Sequence, residues 1–181
     1  MKRTLTAIFL LITIIISAQS NSVSVKDHMF KINILTTPGI EYEVGLGKNT
    51  TLDFRLGTGF AYASRNGNGR YGIFPSVEGA YRYYYNFKRR TQKGKNTSKN
   101  SANYIALTTL FTSGDPIIGD IQTNIDYYAR IGPVWGFQRT YNSNLNLGLE
   151  LGLGYGFNNE ESFLRPIIGF RLGWTFGKDV N

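Results

Sequence analysis

The chain contains no cysteine and only one histidine, His28. Without cysteine there is no disulfide, no thiolate nucleophile and no lipid-modified cysteine behind a leader. An exported chain of this kind must hold together by packing and hydrogen bonding alone. A single histidine leaves little for acid–base or nucleophilic chemistry at neutral pH, which most often uses imidazole. No Cys/His cluster offers a metal site. Long apolar runs are missing as well. The longest, Ala7 to Ile16, falls well short of the roughly 20 residues that a transmembrane helix needs.

That run belongs to a different pattern. Lys2 and Arg3 precede it, and the small pair Ser17-Ala18 follows it, which is the layout of a cleaved secretory signal. Residues 1–18 are therefore expected to be a signal peptide and residues 19–28 a short polar lead. Residues 29–177 form one domain and residues 178–181 a tail. The mature part, about 160 residues, suits a single domain.

The most informative stretch is Leu145 to Phe157, L-N-L-G-L-E-L-G-L-G-Y-G-F. Every odd position is large and apolar, and every even one is polar or glycine. Alternate side chains of a strand face opposite ways, so this is a strand with one apolar and one small, polar face. Glycine is a poor strand former, yet Gly148, Gly152, Gly154 and Gly156 share a face. The wall of a narrow barrel explains this, because its inward positions must leave room for long side chains from other strands. The glycine run Gly152 to Gly156 does not lead from a strand into a helix, so it is not read as a phosphate loop.

The same alternation recurs along the chain. It predicts strands at Met29 to Thr36, Ile40 to Gly47, Thr51 to Ala63 and Tyr71 to Phe87. Four more follow at Tyr104 to Thr112, Thr123 to Gln138, Leu145 to Phe157 and Leu164 to Phe176. Pro38-Gly39 and Asn66 to Gly69 are turn signals. Pro75 is compatible with a strand end but not a strand centre. The expectation is an all-β, eight-stranded antiparallel up-and-down transmembrane β-barrel.

Alternation does not say which face looks inward, and a soluble barrel would carry it with the faces exchanged. Three features favour lipid outside. Glycines collect on the polar face, as a filled lumen requires. Aromatic residues gather near strand ends (Tyr81, Tyr83, Tyr85, Phe87, Trp135, Phe137, Trp174, Phe176), resembling interfacial girdles. The polar faces carry six cations, Lys31, Arg55, Arg82, Arg130, Arg165 and Arg171, and six anions, Glu41, Glu43, Asp53, Glu78, Asp126 and Glu150. Buried charges must be paired, so these twelve are expected to form a lumen ion-pair network, with Tyr128 and Asn86 adding hydrogen bonds.

The formal net charge is +8, and its source is local. Lys2 and Arg3 supply two charges. Lys88, Arg89, Arg90, Lys93, Lys95 and Lys99, in the loop Lys88 to Asn103, supply six, and the remainder cancels. The loop's Lys, Gly, Asn, Ser and Thr content reads as solvated and mobile. It is a candidate contact for lipid phosphate, an anionic envelope polymer or an acidic partner. Nucleic acid is not expected as a partner of an exported chain.

With its signal, its eight alternating strands and its near-terminal I-I-G-F-R-L-G-W-T-F, the chain resembles the small eight-stranded outer-membrane β-barrel proteins of Gram-negative envelopes. The resemblance implies an outer-membrane location and contact with the lipid bilayer. It also implies assembly by the barrel-assembly machinery, which would read the terminal strand through Trp174 and Phe176. Residues 177–181 after Phe176 depart from that pattern. No catalytic or binding residue carries over. The expected function is non-catalytic, in envelope structure, adhesion or partner contact, with no cofactor and no metal. A lipid-acting barrel enzyme built around His28 and a soluble periplasmic or secreted ligand-binding β-barrel are the alternatives.

Overall fold

The computed structural model describes residues 24–35, 37–65, 67–121 and 123–176. The expected signal peptide (1–18) and tail (178–181) lie outside them. Strands follow the alternation: β1 (His28–Asn33), β2 (Gly39–Gly45), β3 (Thr50–Arg65), β4 (Asn68–Tyr83), β5 (Asn103–Ser113), β6 (Ile118–Gly119), β7 (Tyr127–Thr140), β8 (Leu145–Asn158) and β9 (Ser162–Phe176). Eight of them run in the order β3-β2-β1-β9-β8-β7-β5-β4, and a β3–β4 pairing closes the ring. All pairings are antiparallel. The first and last strands of the ring meet directly, with Phe30 opposite Phe176 and Asn33 opposite Gly173. Closure leaves these eight strands no open edge, which in an open sheet would template aggregation.

The ring is polar inside and apolar outside. Among the described residues, eighteen polar or charged residues are buried against eleven hydrophobic ones. Arg82 and Glu43 are each 0% exposed, while Ile168 is 73% and Phe60 67% exposed. On β8 the interior face is Asn146, Gly148, Glu150, Gly152, Gly154 and Gly156, opposite the outward Leu151, Leu153, Tyr155 and Phe157.

Glycine serves close approach at two interior positions. A Cβ on Gly136 would meet the Tyr104 ring at 2.7 Å and the Leu149 carbonyl at 2.8 Å, and one on Gly148 would meet the Arg171 guanidinium at 3.2 Å. These glycines are the floor on which Tyr104 and Arg171 lie.

One end of the ring is capped. The segment after β4 forms a short helix, α1 (Phe87–Gln92), and a 3-10 turn (Ser98–Asn100) before β5 begins. Phe87 is buried in a cluster with Val25, Tyr84, Ala102 and Tyr104. Lys99 and Asn100 are buried and adopt positive φ of 49° and 61°. The expectation of a loose, solvated loop over Lys88 to Asn103 is therefore corrected. Its composition is that of a mobile connector, but Phe87 anchors one end and Asn100 inserts its amide into the ring at the other.

Three smaller differences are local. The strand expected from Thr123 begins at Tyr127, because Thr123 bonds the carbonyls of Gly114 and Ile125 within a loop. β1 ends at Asn33, short of Thr36. Pro75 sits mid-strand in β4 and not near its end. It falls between the stretch paired with β5, which starts at Ser76, and the Gly72–Ile73 stretch paired with β6. No ladder partner on that side asks it for an N–H.

Gly136→Val should therefore destabilise the fold by about 1–3 kcal/mol through overpacking, seen as a lower unfolding temperature. Gly59→Val, where an added Cβ meets nothing within 4 Å, should have little effect.

Candidate functional site

Strand register builds the interior charge cluster. Lys31 lies opposite Glu41, Glu41 opposite Arg55, and Arg55 opposite Glu78, so a row of alternating charge crosses four strands. Opposite charges directly across a ladder stabilise the pairing. The ladders that close the ring bring Glu150 and Arg171 to the same height from the far wall.

The contacts are dense. Lys31 Nζ donates to Glu41 Oε1 (2.6 Å), Glu43 Oε2 (2.7 Å) and Gln138 Oε1 (3.0 Å). Arg82 Nη1 lies 3.0 Å from Asp53 Oδ2 and 3.3 Å from both Glu41 Oε1 and Glu43 Oε2. Arg55 holds Asp53 Oδ1 through Nε (2.8 Å) and Glu78 Oε2 through Nη1 (3.0 Å). Arg171 grips Glu150 with both terminal nitrogens, at 2.8 and 3.0 Å. Such two-point arginine–carboxylate pairs are strong and geometrically specific.

Neutral groups complete the cluster. The Tyr84 hydroxyl donates to Glu43 (2.6 Å) and the Tyr104 hydroxyl to Glu150 (2.7 Å), while Tyr104 also accepts from Arg171 (2.8 Å). The Arg82 guanidinium stacks over the Tyr104 ring, 4.9 Å from its centroid. Asn33 donates to Glu41, and Asn100 of the cap donates to Glu43 (both 2.9 Å). Carboxylate oxygens of Glu41, Glu43 and Asp53 lie within 4.8 Å of one another. The cations they enclose are the Lys31 ammonium and the Arg82 guanidinium.

Nine of the twelve charges expected in the interior thus meet: Lys31, Glu41, Glu43, Asp53, Arg55, Glu78, Arg82, Glu150 and Arg171. The other three do not join them. Asp126 is exposed in the loop before β7, where its N–H bonds Asn159. Arg165 is exposed, packed over the rings of Tyr128 and Phe163. Arg130 stands opposite Gly156 and Glu150 opposite Gly136, so Arg130 is about 20 Å from Glu150 along the strands. All three lie toward the uncapped end. Arg130 shares a row with Glu78, but Leu110 of β5 stands between them, and none of the three forms an ion pair among the described residues. Tyr128 and Asn86 also stay out: the Tyr128 hydroxyl has no partner among the described residues, and Asn86 accepts from the Asn103 N–H beside the cap.

Tyr84, Tyr104, Gln138, Asn33 and Asn100 were not expected in the cluster. Parity could have found Tyr84, two residues from inward Arg82. No sequence signal marks Asn100.

His28 faces away from the interior, stacked on Tyr42 with its Nδ1 2.7 Å from that hydroxyl. Of the basic loop, Lys88, Arg89, Lys93 and Lys95 are exposed and Arg90 is half-buried. Lys99 is buried and bonded to Asn144, so it leaves the exposed basic patch. Trp174 and Phe176 are outward on β9.

Removing one member of a buried pair strands the other. Arg171→Met should cost about 3–5 kcal/mol in chemical unfolding followed by fluorescence. Adding Glu150→Gln should restore part of the loss, a coupling expected for residues in contact. Lys95→Ala, exposed, should fall within about 0.5 kcal/mol of wild type.

No curated protein and no solved structure matches the chain. The model of the family described as DUF3575, Protein of unknown function, matches residues 6–170, and the chain belongs to that family.

Proposed function

We propose that this protein is an outer-membrane β-barrel with a side-chain-filled lumen and a non-catalytic role in envelope structure, adhesion or partner contact. The observation that carries this reading is the inverted distribution of polarity. The ring buries Lys31, Arg82, Glu43 and Asp53 and turns Phe54, Leu107, Leu153 and Ile168 outward. Water would penalise that outer surface, where large apolar side chains are exposed on every long strand of the ring. Hydrocarbon favours it, and a closed ring satisfies the backbone there.

The signal-like N-terminus supports export, and the outward Tyr81, Tyr83, Tyr85, Trp135 and Trp174 suit a membrane–water boundary. An eight-stranded barrel is just wide enough for side chains to fill, and the ion-pair cluster fills the capped half. A barrel packed in this way conducts no ions. In this reading the capped end, which also carries the start of β1 and the end of β9, faces the periplasm.

The mature protein should remain with outer membranes through a carbonate wash and migrate faster unboiled than boiled; release into the soluble fraction would overturn the membrane assignment. Trypsin should cleave at the exposed Lys88, Arg89, Lys93 or Lys95 only in opened cells. In planar bilayers pure protein should give no steady single-channel steps, and such steps would mean that the lumen is open.

A further inference from the structure

A groove of about 470 Å³ runs along the outer wall, lined by Tyr81, Tyr83, Leu107, Pro133, Trp135 and Leu151 among others. That volume lies within the range of sites that take small ligands, about 300–1,000 Å³. Its cause is local. Pro133 faces outward between the larger Ile131 and Trp135, and the β7–β8 ladder skips Gly132 and Pro133. A compact ring where a long side chain could stand leaves a hollow. Ala106, Val134 and Gly152, at inward positions of their strands, also line it.

The groove leads toward a cationic end. Trp135 Nε1 donates to the Tyr85 hydroxyl (2.8 Å), Asn103 Nδ2 donates to the same oxygen (3.4 Å), and Arg139 donates to Asn103 Oδ1. Arg139 also lies over the Phe137 ring, 5.1 Å from its centroid. Arg90 of α1 donates to the Asn96 carbonyl, and Asn96 donates to the carbonyl of Thr140, the residue after Arg139, which brings Arg90 to the same end of β7. Lys88 and Arg89 are exposed on the same short helix. Among the described residues no carboxylate forms an ion pair with Lys88, Arg89, Arg90 or Arg139. Like charges held together without a counter-charge favour an anion between them. A guanidinium also keeps N–H groups in a fork that suits phosphate.

We propose that this wall binds one anionic phospholipid of the surrounding leaflet. One acyl chain lies in the groove, and the headgroup phosphate sits between Arg139 and Arg90. This rests on the membrane reading above. Apolar groove, hydrogen-bonded aromatic boundary and unpaired cations follow one another along the strands in the order in which a lipid presents chain, glycerol region and phosphate.

The chain's two tryptophans, Trp135 and Trp174, allow a direct test. Trp135 lines the groove, whereas Trp174 stands on β9, away from it. The protein is reconstituted into phosphatidylcholine vesicles containing brominated phosphatidylglycerol, and tryptophan quenching gives the anionic lipid's affinity relative to the bulk. In Trp174→Phe, where Trp135 alone reports, that relative affinity should be several-fold above one. Adding Arg90→Gln and Arg139→Gln together should bring it toward one, and filling the hollow with Pro133→Phe should also lower it. In Trp135→Phe, where Trp174 alone reports, the value should stay near one. A value near one at Trp135, or an equal preference at both tryptophans, overturns the lipid site. Absence of quenching by brominated phosphatidylcholine at either tryptophan means that the protein does not insert, which overturns the membrane reading instead.

Discussion

Everything inside this ring depends on one constraint: a charge taken out of water must meet its opposite within hydrogen-bonding distance. The idealised cost of moving a carboxylate or ammonium into a low-dielectric interior is of order 20 kcal/mol, and several kcal/mol survive relaxation. The ring satisfies the constraint by register. Lys31, Glu41, Arg55 and Glu78 come opposite one another across four strands. A one-residue slip would turn each of these side chains to the outer face. The cluster therefore discriminates among registers more sharply than apolar packing would, since greasy side chains tolerate many neighbours.

The same constraint accounts for the cap. The Glu43 carboxylate accepts from Lys31, Tyr84, Asn100 and Gln138, and Asn100 comes from the segment that closes the ring. Among the described residues the cluster joins four cations to five carboxylates, so neutral donors matter to the excess acid. The cap is thus tied to the interior through hydrogen bonds, while Phe87 adds an apolar anchor. Ordering this polar segment costs conformational entropy, which those contacts offset.

The outer wall obeys a different rule. Its side chains need only be apolar, so shape there is under little constraint from partners within the chain. Pro133 is one consequence. It keeps its pairing with Leu107 of β5 while the β8 side is left without an N–H, and its small ring opens the groove. Across the same region the wall passes from aliphatic to aromatic to cationic, and the outermost arginines have no carboxylate partner within the described chain. The interior cancels its charge; the rim beside the cap leaves its charge to the surroundings.

The sequence by itself determined the strands and their two faces. Side-chain direction in a strand repeats every two residues, a local property that needs no knowledge of neighbours, and Leu145 to Phe157 displays it without interruption. Even so, Thr108, Thr109 and Thr112 blurred the phase of β5 and hid Tyr104, whose ring now covers Gly136. What only the tertiary structure decided is which charges meet. Arg130 and Arg171 look alike in sequence, each on the polar face of a glycine-bearing strand. Strand adjacency and height bring Arg171 onto Glu150, while Arg130 sits about 20 Å along the strands from Glu150 and across Leu110 from Glu78. The cap was equally illegible, since Lys88 to Asn103 has the composition of a mobile loop. Register, height along the axis and the insertion of Asn100 are relations between distant segments. No period within a single segment encodes them.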